Sequence, residues 1–185
     1  MDKPALKQPI LIELDAECRQ DHLDKVEAWL KNVQLTQASF RQLLEDTVDK
    51  IEEPHLKDYL NTMLQQALDH EEKAEALFLV IGREPSTVRK LAGDLLGKGR
   101  ELWADIIALG GGAHGPWQDL QQLYISNLNS MSAFAVAEQL GLALGIPEIL
   151  NITLSVIDEK STSHLLLQEI ALEMCSKSIL YQQPF

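Results

Sequence analysis

Basic residues are scarce in this chain, cysteine is nearly absent and long apolar runs are missing. Each shortage excludes something. With 16 Lys and Arg against 28 Asp and Glu, the net charge is −12. No basic stripe exists to displace counterions from phosphates, so a nucleic-acid partner is not expected. The acidity serves solubility. Cys18 and Cys175 stand one near each end, without metal-ligand spacing. They suggest free thiols in a reducing compartment, although a disulfide between the termini would also satisfy the count. No apolar stretch reaches the roughly 20 residues that a membrane helix needs, and Pro9-Ile-Leu-Ile12 is too short for a signal-peptide core. A cytoplasmic protein without membrane association is the expectation. There is no Gly-x-Ser-x-Gly elbow. The run from Gly110 to Pro116 has neither a preceding strand nor a Gly-Lys-Ser/Thr ending, which excludes a phosphate loop. Trp29, Trp103 and Trp117 read as packing residues rather than base-stacking platforms, because nothing basic surrounds them.

What is present suffices for one domain of 185 residues, 45% apolar and 24% charged. Residues 1–21 form an N-terminal arm broken by Pro4 and Pro9, either a tail tucked against the rest or a docking strand for a partner. From His22 to Glu53 the pattern is helical, with Val26, Leu30, Val33, Gln37, Phe40, Leu44, Thr47 and Ile51 in steps of four and three. Pro54 ends that helix and suits the first turn of the next. The second helix, about His55 to Ile81, repeats the rhythm with Leu56, Leu60, Met63, Ala67, His70, Ala74, Leu77 and Ile81. The loop between them permits only an antiparallel hairpin. Gln37 lies 16 residues before Glu53 and His70 lies 17 after it, so both sit at one height and face inward. Buried polar groups cost free energy unless paired, so a matched polar level calls for an explanation.

A third helical segment, capped by Ser86 and reaching about Leu109, is interrupted by Gly93, Gly97 and Gly99. The fourth element, Pro116 to Leu144, is rich in small and amide residues such as Ser126, Asn127, Asn129, Ser130 and Ala133, which permit close helix approach. Gly145 and Pro147 give a sharp stop and restart. The last helix, Pro147 to about Ser178, has an expected seam of Ile149, Ile152, Val156, Glu159, Ser163, Leu166, Ile170 and Met174. Its polar interruption at Glu159 and Ser163 matches Ser130 or Asn127 in height. The architecture read from these patterns is all-α: an up-down four-helix bundle of two antiparallel hairpins over residues 22–178. An additional crossover helix would occupy about 86–115, and residues 179–185 would be a tail.

Two hairpins with a long crossover, each polar halfway up, describe a ferritin-like bundle. Ala137-Glu-Gln-Leu-Gly141, Asp158-Glu-Lys-Ser-Thr162 and Leu167-Gln-Glu-Ile-Ala171 resemble the last hairpin of the YciE/YciF-type ferritin-like stress proteins. Asn61 to Pro85, with its histidine and its Leu-x-x-x-Ile-Gly ending, is similar to their second helix. The resemblance implies a carboxylate-bridged di-iron centre, with one Glu from each of two helices and a Glu-x-x-His pair from each of the others. This chain departs from that pattern. Gln37 stands where the first Glu belongs, and Ala67 precedes His70 by three. Ser130 and Asn127 replace a carboxylate, while Glu159 is followed by Thr162 and His164 rather than a histidine three later. The one true Glu-x-x-His spacing, Glu52 to His55, straddles Pro54 at a helix junction.

One carboxylate and one imidazole do not neutralise two ferrous ions. The expected polar core layer is therefore Gln37, His70, Asn127, Ser130 and Glu159, a hydrogen-bonded remnant of a metal centre with no catalytic residue and no cofactor. The expected function is a non-enzymatic, stress-associated or partner-binding bundle that forms a homodimer. Two alternatives stand beside it. One is a metal-dependent oxidase or iron-handling protein that keeps iron or another divalent metal on His70 and Glu159. The other is a small-molecule carrier with an apolar cavity between the helices.

Overall fold

The computed structural model describes residues 16–85 and 116–181. The segments expected to form the arm, apart from its last six residues, and the crossover helix lie outside them. The described chain consists of four helices: α1 (Ala16–Val48), α2 (Pro54–Val80), α3 (Pro116–Leu144) and α4 (Pro147–Leu180). The first helix starts inside the stretch assigned to the arm. It also ends before Glu53, because the chain already turns through Lys50 N–H to Thr47 O and Ile51 N–H to Val48 O ahead of Pro54.

Two glycines close helices in the left-handed region. Gly82 has φ 69° and Gly145 has φ 66°. In each case two backbone bonds reach back into the last turn: Arg83 N–H to Phe78 O and Gly82 N–H to Leu79 O, and likewise Ile146 N–H to Gly141 O and Gly145 N–H to Leu142 O. Both are Schellman closures, in which a residue without Cβ takes the strained position. Pro147 then restarts the chain as α4 with its φ already set for a helix.

Each helix packs on two others: α1 on α2 and α3, and α4 on α3 and α2. Directions follow from paired side chains. On α1 and α3, Lys50 meets Asp119, Gln37 meets Ser130 and Trp29 meets the Ala133 carbonyl, so the two run antiparallel. On α2 and α4, His55 meets Glu173 and His70 meets Glu159, again antiparallel. With both hairpins also antiparallel, the order is up, down, down, up. The end of α2 lies beside the start of α1, through Arg83 and Asp24, whereas α3 starts at the opposite end beside Lys50.

The residues of the two expected seams are all buried, Val26 to Thr47 on α1 with Ile51 in the turn beyond it, and Leu56 to Leu77 on α2 with Ile81 at its C-cap. The seam of α4 differs from expectation. Thr153, Lys160 and Leu167 are buried there, and their neighbours Ile152, Glu159 and Leu166 are half-exposed flanks. Ile149, Thr153, Val156, Lys160, Ser163, Leu167, Ile170 and Met174 step by four then three, the same rhythm and phase as α1 and α2. Starting the rhythm with three instead of four turns the helix by one residue and moves an acid inward in place of a lysine.

Two apolar cores result. One holds Phe40 to Ile51, Leu56 to Ala67, Leu120, Leu123, Leu167, Ile170 and Met174. The other holds Val26, Leu30, Val33, Ala74 to Ile81, Ala133, Phe134, Ala137, Ile149 and Val156. Fully burying a leucine or phenylalanine stabilises by about 1.5–3 kcal/mol, so both cores contribute heavily. Trp29 and Trp117 pack beside them and donate their indole N–H groups to the carbonyls of Ala133 and Ala171, each at 3.0 Å. Between the two cores, at mid-height on all four helices, lies a polar layer.

Candidate functional site: the polar layer

The layer occupies one or two seam positions per helix: Gln37 on α1, His70 on α2, Asn127 and Ser130 on α3, and Lys160 and Ser163 on α4. Four of these belong to the set read from the sequence, which the fold brings to a single level. Ser130 Oγ donates to Gln37 Oε1 at 2.8 Å, and Gln37 Nε2 donates to the Ala67 carbonyl at 2.8 Å. One carboxamide thus ties α3, α1 and α2 together, with both its ends satisfied. Asn127 Nδ2 donates to the Lys160 carbonyl at 2.9 Å, linking α3 to α4. Ser163 Oγ reaches Gln66 Oε1 at 3.4 Å.

His70 and Glu159 meet, but from different depths. His70 is buried and its Nε2 lies 3.0 Å from Glu159 Oε2, whose side chain is 35% exposed. Burial, and then the nearby Lys160 charge, push the His70 imidazole down to about 4 despite Glu159 pulling the other way. At neutral pH the imidazole is therefore uncharged, and the contact is a hydrogen bond rather than an ion pair. The carboxylate can only accept, so the proton sits on Nε2. His70 Nδ1 is left as a lone pair without a hydrogen-bond partner among the described residues. Outside Glu159, Lys73 Nζ lies 3.7 Å from Oε1 and 2.7 Å from Asp69 Oδ2.

The residue that sequence reasoning missed is Lys160. Its side chain is fully enclosed, its Nζ has no hydrogen-bond partner among the described residues, and the ammonium lies 4.4 Å from the centroid of the Phe40 ring. A cation over a ring face gains about 0.5–2 kcal/mol, far less than desolvation of an ammonium costs. Burial accordingly pulls the amine down to about 7. The signal that could have found it is the four-three rhythm shared with the first two helices. A charged residue is ordinarily read as surface, and the lysine stem, which is apolar enough to sit in a core, masks the exception.

Asp69, His70 and Glu159 each offer a ligand atom, all within 4.8 Å of one another. This set could hold one divalent ion at the edge of the layer. It does not fit two bridged ions, since the bridging level is filled by amides, hydroxyls and an ammonium. Any ion at Asp69 and Glu159 would also displace Lys73, which already balances their charge. Two other candidates are settled by contacts. His55 pairs with Glu173 of α4 at 3.2 Å, and His164 stacks on Tyr124 with ring centroids 4.0 Å apart. Cys18 and Cys175 are not joined in a disulfide. An open cavity of about 300 Å³ lies at the end of the bundle, lined by Arg19, Leu23, Val80, Ile81, Gly145, Ile146 and Glu148. Its charged rim and terminal position differ from the apolar inter-helical cavity that a carrier would need. Among the described residues, no helix is long and apolar enough to cross a membrane. No protein-family model matches the chain, and no curated protein matches it.

Proposed function

We propose that this chain is a non-catalytic ferritin-like bundle in which the level of a di-iron centre is occupied by a lysine and neutral hydrogen-bonding groups, and that it acts as a partner-binding, stress-associated scaffold. The observation that carries this reading is Lys160. A lysine amine enclosed at mid-height over Phe40, and cationic or neutral but never anionic, stands in the place where metal ions would need carboxylates. Gln37, Ser130 and Asn127 take the remaining ligand positions with groups that hydrogen-bond across helices, Ser130 to Gln37, Gln37 to the Ala67 carbonyl and Asn127 to the Lys160 carbonyl. The complete Ser130–Gln37–Ala67 link ties α3, α1 and α2 in register without metal, while Asn127 Oδ1 has no hydrogen-bond partner among the described residues. The test is elemental analysis after purification without chelator, followed by anaerobic loading with ferrous iron and exposure to air. This reading expects no stoichiometric iron and no oxo-bridge absorption. Close to two irons per chain would sink it.

A second reading is favoured by one observation, the Asp69–His70–Glu159 cluster. It is a single divalent ion held at the rim by two carboxylates and one imidazole, as in an iron-handling or oxidase role. Its signature is one metal per chain that is lost in His70→Ala and in Glu159→Ala.

A further inference from the structure

The positions of the helix ends constrain the path of the chain between α2 and α3. The second helix stops beside the start of α1, where Arg83 meets Asp24, and α3 starts at the opposite end, where Asp119 meets Lys50. Asp24 and Lys50 are 26 residues apart, so the 30 residues from Ser86 to Gly115 descend roughly 39 Å, nearly the full height of the bundle. The helices α2 and α3 stand diagonally, each packed on α1 and on α4. The descent therefore passes outside α1 or outside α4.

Exposure separates the two routes. On α4 every turn from Asn151 to Glu173 shows exposed residues, Leu154, Asp158, Leu165, Glu169 and Leu172 among them. That is the pattern of a helix whose outer face meets solvent. On α1 no residue from Asn32 to Leu44 is exposed, although the seam uses only Val33, Gln37, Phe40 and Leu44 of that stretch. Gln34, Ala38 and Ser39 are buried off the seam. On α3, likewise, no residue from Trp117 to Asn127 is exposed. The Gln37–Ser130 and Lys50–Asp119 contacts set these stretches side by side. They form one covered strip that descends from the middle of α1 to the start of α3, where the chain re-enters. Within it, Gln34 Oε1 and Ser39 Oγ have no hydrogen-bond partner among the described residues, so the cover has to supply polar groups as well as apolar ones. The joining residues have both. Val88, Leu91, Leu95, Leu102, Ile106 and Leu109 recur in steps of three, four and seven, which is one apolar face at helical spacing, and Lys98 and Arg100 bring donors. The strip suits them, since α1 carries no charge between Lys31 and Arg41 and offers the small side chains of Ala38 and Ser39.

We infer that residues 86–115 dock on the outer face of α1 and the first half of α3, and leave the leucines of α4 bare. The polar layer is then closed on the α1 side. It meets solvent at Glu159, between α2 and α4, and a metal ion or small solute reaches His70 from there. The test is thiol labelling of the full chain, with Cys18 and Cys175 replaced by serine. Ser39→Cys should label more slowly than Leu165→Cys by about tenfold or more. Adding Leu95→Asp/Leu102→Asp should release the Ser39→Cys thiol and leave the Leu165→Cys rate unchanged. Deleting residues 2–14 should alter neither rate. A Ser39→Cys thiol that labels as fast as Leu165→Cys, stays protected in the double variant, or is released by deleting the N-terminal residues overturns the proposal. If the double variant loses its helical circular dichroism, disulfide trapping decides: Ser39→Cys should link to one of Leu95→Cys, Leu102→Cys and Ile106→Cys. No link, or a link from Leu165→Cys instead, overturns it. Metal content enters neither readout, so failure here is distinguishable from failure of the metal-free reading.

Discussion

The two hairpins share one bundle and one heptad rhythm, yet they handle water differently. The α1–α2 hairpin is sheathed in charge: Lys25–Asp21, Lys31–Glu27, Lys73–Asp69 and the Arg41 link to Glu71 and Glu45 all lie on it. Burial would lower the Arg41 pKa, but its two carboxylate partners outweigh this and leave the guanidinium more firmly charged than usual. Large exposed apolar side chains are absent from α1 among the described residues and number three on α2, Tyr59, Leu68 and Leu79. The α3–α4 hairpin differs. Its outside sets exposed leucines among the α4 acids Glu148, Asp158 and Glu169, and its inside holds a lysine. One hairpin spends its charge on solvation. The other exposes leucines on its outer face and buries a lysine at the centre.

The strongest way to break this comparison is to remove the buried charge. Lys160→Met keeps the apolar stem and deletes the ammonium, and it should stabilise the protein by about 1–4 kcal/mol at pH 7, measured by urea unfolding. A loss of stability would mean that Lys160 Nζ has a strong partner.

The close approach inside the second hairpin is next. A Cβ at Gly141 would lie 2.7 Å from Ile149 Cβ, where no flexible chain end can yield, whereas a Cβ at Gly82 meets nothing. Gly141→Ala should therefore destabilise through overpacking by about 1–3 kcal/mol. Gly82→Ala should cost less, about 1 kcal/mol, through its left-handed backbone alone. Reversed ranks would show that α3 and α4 do not pack this tightly.

The cross-hairpin amide comes third. A double-mutant cycle on Gln37→Ala and Ser130→Ala should give a coupling of about 1 kcal/mol, because the pair bonds directly in a dry layer. The smallest effect belongs to the charged sheath. Lys31→Ala, which removes a half-exposed pair with Glu27, should stay within about 0.5 kcal/mol and fade further with salt.

The first hairpin was legible in the sequence almost residue by residue, because its seam is apolar apart from Gln37, Thr47 and His70, and these three are short or neutral enough to read as interior. The stops at Pro54, Gly145 and Pro147 were legible for stereochemical reasons. Two things were not. The start of α1 at Ala16 was hidden by a polar first turn after a proline-broken arm. On α4, Glu159 was placed inward by a seam that stepped from Ile149 to Ile152, three residues instead of four, and its neighbour Lys160 was passed over because charge ordinarily marks surface. The four-three rhythm of the first two helices, carried onto α4, would have turned Lys160 inward, with its apolar stem in the core. Exposure of the outer leucines was equally invisible, since an apolar stripe at helical spacing reads the same whether covered or bare.

Acidification offers a further check on the layer. His70 is held at about 4 in the fold against an ordinary 6.5, so it contributes stability that is present above 6.5 and lost as pH falls through 4. His70→Gln should flatten that acid limb in urea-unfolding curves.

The most direct measurement is the stability of wild type and Lys160→Met across pH 6 to 11. With Lys160 at about 7 in the fold and 10.5 when unfolded, the unfolded chain binds the extra proton between those values. Wild-type stability should then rise with pH through that window relative to Lys160→Met, and the gap between the two should close as pH approaches 10.5. Parallel curves across the window would contradict a lysine enclosed without a partner at the centre of the bundle.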